Sequence, residues 1–181
     1  MLKNDVERVL ISEKEIEDAV LRMANAISRD YEGKNLVLLG ILKGSVVFMG
    51  DLMKRLSIPV QIDFMKVSSY GGGTVTKGAV DIILDIRRKD LENCDILIVE
   101  DIIDSGRTLS YLAKYLQDKG AKSVRTCTML DKPSRREVEF TPDYSGFEIP
   151  DEFVIGYGLD YNEMYRALPY VGVLKRSVYE K

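Results

Sequence analysis

The stretch Ile96–Ser110, ILIVEDIIDSGRTLS, constrains the fold of this chain more than any other. Ile96 to Val99 is an apolar run rich in β-branched residues, the pattern of a short buried strand. Glu100 and Asp101 follow at once, then Ile102, Ile103 and a third carboxylate, Asp104. After Ser105, Gly106, Arg107 and Thr108, apolar residues recur at Leu109, Leu112, Ala113 and Leu116, which is helical spacing. Strand, acidic loop and helix N-terminus in that order form one repeat unit of an α/β sheet.

The loop has a chemistry of its own. A helix start carries amides without intrahelical partners and the positive end of the helix dipole. Small residues such as Ser105 and Gly106 let an anion approach those amides, and a phosphate monoester fits there. The hydroxyls of Ser105 and Thr108 add donors. Carboxylates would repel a phosphate, so Glu100, Asp101 and Asp104 need another task. Groups that only accept hydrogen bonds suit sugar hydroxyls and the shell of Mg²⁺. A ribose 5-phosphate carried with a metal satisfies both halves of the loop. A plain βα turn with Asp104 or Ser105 as helix cap is the competing reading. It leaves three carboxylates directly after a buried strand unexplained.

Leu36–Leu42, LVLLGIL, is continuously apolar, as expected of a central parallel strand covered on both faces. Lys43, Gly44 and Ser45 follow, then a helical run with Val46, Val47, Phe48, Leu52, Met53 and Leu56. Taken alone, this second strand–loop–helix unit is weak evidence for an anion site. Gly-Ser before a helix is common, and a lysine there is usually just solvated.

Elsewhere the organisation is regular. Val6–Ile11 has the pattern of a short strand, and Ser12 with Glu15 has capping-box spacing before a helix that carries Ile16, Ala19, Val20, Met23 and Ile27 on one face. Pro59–Val67 and Ala79–Ile86 have strand patterns, separated by the glycine-rich SSYGGGTVTKG, Ser68–Gly78. That segment suits a hairpin tip or a lid that closes during reaction. Gly120 stops the central helix, Ser123–Leu130 is the next strand, and Lys132 lies just past its end, where open α/β sheets bind ligands. Thr141–Pro150 is irregular; Phe153–Gly158 and Tyr170–Leu174 complete the strands. The alternation of elements predicts an α/β fold with a twisted, mainly parallel sheet flanked by helices.

Composition bounds the rest. At 181 residues and without internal repeat or linker, the chain is expected to be a single domain, 1–181. A net charge of −3 supplies no general drive toward nucleic acid or anionic lipid. No apolar run is long enough to span a membrane, and MLKNDVERVL lacks the apolar core of a signal peptide. With only Cys94 and Cys127, both beside strand-like runs, the chain is expected to be cytoplasmic with reduced thiols. Histidine is absent, which excludes Ser-His-Asp and Cys-His chemistry and leaves proton transfer to Asp, Glu, Lys, Tyr or the substrate.

VEDIIDSGRTLS resembles the phosphoribosyl pyrophosphate (PRPP) loop of type I phosphoribosyltransferases. GFEIPDEFVIGYGLDYNEMYR is similar to the purine-base region of the hypoxanthine-guanine branch, and the likeness extends over nearly the whole chain. The resemblance implies transfer of a 5-phosphoribosyl group from PRPP to N9 of a 6-oxopurine, with Mg²⁺ as cofactor and purine salvage as the role. It also implies a small hood from the N- and C-terminal segments over the base, and a homodimer or homotetramer.

It assigns residues as well. Ser105, Gly106, Arg107 and Thr108 would hold the 5′-phosphate, and Asp104 would accept a proton near purine N7. Glu100 and Asp101 would face the ribose hydroxyls and the metal, with Asp160 near a second Mg²⁺. Lys43 and Gly44 resemble the diphosphate-binding loop, in which the peptide before the lysine can be cis. Arg166 would contact the pyrophosphate. Lys132, a donor only, would bond O6 of hypoxanthine or guanine and oppose the 6-amino group of adenine. Phe153 would stack on the base, and the Val154 backbone and Asp160 would read its opposite edge. Ser69 and Tyr70 match the Ser-Tyr pair of the catalytic flexible loop. Two alternatives share this fold: a PRPP-sensing regulator that binds nucleic acid, against which the acidic balance argues, and a transferase that prefers xanthine.

Overall fold

The computed structural model describes residues 2–69 and 80–180. In chain order the elements are β1 (Val6–Ile11), α1 (Glu13–Asp30), β2 (Leu36–Leu42), α2 (Ser45–Met53), β3 (Gln61–Ser69), β4 (Val80–Leu84), β5 (Asp95–Ile103), α3 (Arg107–Asp118), β6 (Ser123–Asp131), β7 (Tyr144–Glu148), β8 (Val154–Ile155), β9 (Val171–Leu174) and α4 (Arg176–Tyr179).

The main sheet has the order β4-β3-β2-β5-β6-β7. All of its pairings are parallel except β3 with β4, which forms an antiparallel edge. Side chains alternate between the two faces of a strand, and here both faces are covered. Leu36 and Leu38 of β2 and Leu97 and Val99 of β5 pack with Ile16, Val20, Met23 and Ile27 of α1 and Phe48 and Leu52 of α2. The intervening Val37, Leu39, Ile41, Ile96 and Ile98 pack with Leu109, Leu112 and Leu116 of α3. Two-sided burial is why β2 and the first half of β5 read as unbroken apolar runs.

A second sheet, β1-β9-β8, is antiparallel and joins the two ends of the chain. Among the described residues, no helix is long and apolar enough to cross a membrane.

Two local expectations need correction. The segment expected to be irregular, 141–150, contains β7, which pairs in parallel with β6 from Cys127↔Tyr144 to Asp131↔Glu148. A Cβ on Gly146 would come within 2.5 Å of the Met129 carbonyl oxygen, so only glycine lets this strand lie flush. FVIGYG is a strand only at Val154–Ile155, because Gly156 (φ 93°) and Tyr157 (φ 49°) turn the chain back through a Gly156↔Leu159 bridge.

Candidate active site

Four parallel strands end on the same edge of the main sheet, and the residues after them form the site: Lys43 after β2, Asp104 after β5, Lys132 after β6 and Asp151–Phe153 after β7. Open α/β sheets bind ligands at this edge.

The loop that the sequence suggests for phosphate is built by the junction of β5 and α3. Gly106 is the cap residue of α3, at φ 79°, a conformation glycine adopts at little cost. No side chain caps the helix there, and its first turn holds no acidic residue. The Ser105 hydroxyl accepts from the Arg107 amide at 3.3 Å. A cavity of about 310 Å³ opens above it, lined by Glu100, Ile102, Ile103, Asp104, Ser105, Gly106, Thr108 and Leu109. The guanidinium of Arg107 turns outward to Glu137 at 2.6 Å, and the residue takes no part in the cavity wall.

Glu100 and Asp101 lie within β5, which runs on to Ile103 in register with β6, and not in the loop that the sequence pattern placed directly after Val99. Burial, with the like charge of Asp101 beside it, pushes the Glu100 carboxyl well above the usual range. Burial also raises Asp101, against the hydrogen bond that its carboxylate accepts from the Ile102 amide at 2.8 Å. Asp101 reaches the loop after β2: a Cβ on Gly44 would overlap its carboxylate, so the glycine is what allows the two segments to touch. The Leu42–Lys43 peptide is cis.

Lys43 and Arg166 converge from distant segments. The ammonium of Lys43 donates to Glu163 at 2.8 Å. Arg166 pairs with Asp160 at 2.9 Å and Glu163 at 3.5 Å and donates to the Gly158 carbonyl at 2.8 Å. Its Nε is buried with no partner among the described residues.

A wider cavity of about 600 Å³ adjoins the loop, lined by residues that include Ile102, Asp104, Lys132, Phe153, Val154, Asp160 and Tyr179. Lys132 is only 8% exposed. Its ammonium donates to the Glu152 carbonyl at 2.7 Å and lies 3.9 Å from the Asp104 carboxylate. An ammonium has three donors, so capacity remains for a ligand. Phe153 is 39% exposed, stacked on Tyr179 at 4.9 Å and edge-on to Tyr161 at 5.6 Å. Val154 is anchored in β8, paired with Val173 of β9.

The structure thus brings Glu100, Asp101, Asp104 and the Ser105–Thr108 loop together with Lys132, Phe153, Val154 and Asp160. Lys43, Gly44 and Arg166 lie beside them. Ser69 closes β3, while Tyr70 and the glycine-rich segment after it lie outside the described residues. Sequence reasoning missed Ile102, Glu152, Tyr161 and Tyr179. Ile102 was passed over because it resembles a continuation of the strand; the others carry no periodic signal and meet only through the fold.

Fold and site define a class: α/β proteins with a ligand site across the carboxyl ends of parallel strands, one loop of which is shaped for an anion. Residues 10–162 match the family described as phosphoribosyl transferase domain. The chain belongs to that family, in its hypoxanthine-guanine phosphoribosyltransferase branch. It is 53% identical over 180 residues to the hypoxanthine-guanine phosphoribosyltransferase of Lactococcus lactis, covering 99% of this chain and 97% of that protein. It is also 50% identical to the bifunctional protein TilS/HprT of Listeria monocytogenes, of whose length it spans 28%. A crystal structure of a hypoxanthine phosphoribosyltransferase from Staphylococcus aureus superposes with a TM-score of 0.94 at 48% identity, covering 99% of this chain and 97% of that one.

Proposed function

We propose that this chain transfers the 5-phosphoribosyl group of PRPP to N9 of hypoxanthine or guanine and releases pyrophosphate, as a purine-salvage enzyme. The observation that carries this reading is the position of Asp104. It lines both the cavity above the phosphate loop and the wider cavity holding Lys132 and Phe153. A ribose bridging a phosphate and a base would lie along that shared wall.

The residues divide the work. The amides and hydroxyls from Ser105 to Thr108 hold the 5′-phosphate, with Arg107 contributing only its amide. The Lys132 ammonium donates to O6 of the base, and adenine presents a second donor there, which a buried site rejects strongly. Phe153 stacks on the purine, the Val154 backbone and Asp160 read its far edge, and Asp104 receives the proton lost as N9 attacks. Lys43, Gly44 and Arg166 hold the departing pyrophosphate, where the Arg fork matches phosphate oxygens. Release of Lys43 and Arg166 from Glu163 accompanies that binding. Ser69 and Tyr70 belong to a lid that keeps water from PRPP.

The donor set also fits Mg²⁺. Burial opposes the ionisation of both Glu100 and Asp101, and the charge of Asp101 further opposes that of Glu100; a divalent cation relieves these penalties. Among the described residues, no cluster of three or more acidic, cysteine or histidine side chains forms a ready metal cage. Mg²⁺ usually takes one or two carboxylates and completes its shell with water and substrate oxygens. Glu100 and Asp101, with Asp160 for a second ion, would hold it, and it would neutralise charge on PRPP. We read the protein as a cytoplasmic homodimer or homotetramer; two buried free cysteines support the reducing compartment.

The test is a spectrophotometric assay with PRPP, Mg²⁺ and each of hypoxanthine, guanine, xanthine and adenine. Turnover of the first two and not of adenine is expected. Equal turnover of adenine would overturn the assignment of Lys132, and PRPP binding with no turnover would favour the regulator.

A further inference from the structure

The segment after Lys132 looks like an ordinary basic turn in the sequence, yet Arg136 is largely buried, its side chain 15% exposed. Its guanidinium donates in three directions. Nη1 bonds the carbonyl oxygen of Asp104, Nε bonds the Phe140 carbonyl at 3.0 Å, and Nη2 bonds the carboxylate of Asp131, the last residue of β6. The chain that follows continues the clamp: the amides of Glu137 and Val138 both donate to the Ser105 carbonyl, at 3.0 and 3.3 Å. The aliphatic part of Arg136 lies directly against Gly106, where an added Cβ would meet its Cδ at 2.9 Å.

We propose that Arg136 is a positioning residue that holds the Asp104–Thr108 loop in its phosphate-binding shape and fixes it to the strand end that presents Lys132. The proposal rests on the function proposed above. The loop's outward carbonyls, Asp104 and Ser105, are tied down from behind, which keeps its amides turned toward the cavity. One planar group satisfies acceptors on the loop, on β6 and on the returning chain. A lysine has the charge but not the fork, so it cannot reach all three at once. Asp131 is the other half of the device, since its carboxylate neutralises the guanidinium while orienting it. The Lys132 amide donating to the Ile103 carbonyl at 2.9 Å ties the same two segments on the base side. Arg136 touches neither cavity and appears among the lining residues of neither. Its effect reaches substrate only through the loop.

The experiment compares wild type, Arg136→Gln, Arg136→Lys and Lys114→Gln. Ribose 5-phosphate binding is measured by calorimetry, and KM for PRPP, KM for hypoxanthine and kcat by steady-state assay, each with a thermal melt. For Arg136→Gln, ribose 5-phosphate binding should weaken and KM for PRPP should rise by about tenfold or more, as expected for loss of charged hydrogen bonds. KM for hypoxanthine should move by less than about threefold, since direct base contacts remain. Arg136→Lys should fall between, and it carries the test if the glutamine variant does not fold. Lys114→Gln, which loosens only the exposed ion pair with Asp118 on α3, should stay within about twofold of wild type. Unchanged ribose 5-phosphate binding in both Arg136 variants overturns the inference. So does a loss confined to kcat with KM for PRPP unmoved, which would mean fewer folded molecules and not a reshaped loop. Wild type that binds ribose 5-phosphate but turns over no 6-oxopurine overturns the proposed function and leaves the Arg136 comparison readable by calorimetry. Wild type that binds no ribose 5-phosphate overturns both.

Discussion

Helices α1 and α3 begin in opposite ways. At α1 the Ser12 hydroxyl accepts from the Glu15 amide at 3.3 Å, and the Glu15 carboxylate accepts from the Ser12 amide at 2.8 Å. Glu13 and Glu15 place negative charge in its first turn, which complements the helix dipole. At α3 the cap is a glycine, no side chain closes the end, and no carboxylate stands in the first turn. A helix start that serves packing satisfies itself. One that serves a ligand is left unfinished, and the unfinished amides mark the site. The carboxylates differ in the same sense: hydrogen bonds from Ser12 hold Glu15 below its usual range, whereas burial beside Asp101 holds Glu100 above it.

Substitutions at the α3 end should therefore act on turnover and those at the α1 end on stability. The largest effect is expected at Asp104. Asp104→Asn keeps the shape and removes the proton acceptor, so kcat should fall by about 10²–10⁴ with the melting temperature nearly unchanged; an undiminished kcat in the steady-state assay would strip Asp104 of that role. Next is Ser105→Asp, which puts a carboxylate at the start of α3, as Glu13 and Glu15 do at α1. Ser105 lines the cavity and its hydroxyl already reaches the Arg107 amide, so the new carboxylate would compete there with a phosphate. KM for PRPP should rise about 100-fold, a few kcal/mol of like-charge repulsion at a partly screened site. Normal PRPP affinity in this variant would break the contrast between the two helix starts.

Smaller effects fall on stability. The Glu100 carboxyl is raised in the folded protein, so it binds its proton more tightly folded than unfolded. Its favourable contribution is full below the unfolded value and disappears as pH rises through the folded one. At neutral pH, above the unfolded value, the ligand-free protein has thus lost stability to this crowded carboxyl. Glu100→Gln should stabilise it there by about 1–3 kcal/mol, a gain that vanishes in melts near pH 4. Equal melting curves at both pH values would remove the argument. Last, Ser12→Ala should cost about 0.5–2 kcal/mol and leave kcat/KM unaltered. A loss of activity from that change would show that the α1 end is not merely structural.

Legibility followed locality. The phosphate loop, with Glu100, Asp101 and Asp104, occupies one continuous stretch, and its strand and helix are signalled by uninterrupted burial on one side and by helical spacing on the other. The Ser12 cap was readable for the same reason. The strand β7 was not, because YSGFE has neither alternation nor a long apolar run and exists as a strand only through its ladder with β6. The early end of β8 was hidden too, since nothing in FVIGYG announces that Gly156 and Tyr157 adopt positive φ. The family likeness marked Phe153 and Arg166, but not the Tyr179 ring on Phe153 or the Glu163 carboxylate between Lys43 and Arg166.

By itself the sequence determined the α/β class, the two-sided burial of β2 and β5, and the anion-ready loop. Each of these depends on residues within a few positions of one another, where spacing and side-chain type suffice. Only the tertiary structure decided that Asp104 stands between two cavities, that Lys132 is buried with a carbonyl partner, and that Arg136 braces the loop from behind. Those facts depend on strands ending together at one sheet edge. Contacts across that edge come from the packing of distant segments, which no local pattern encodes.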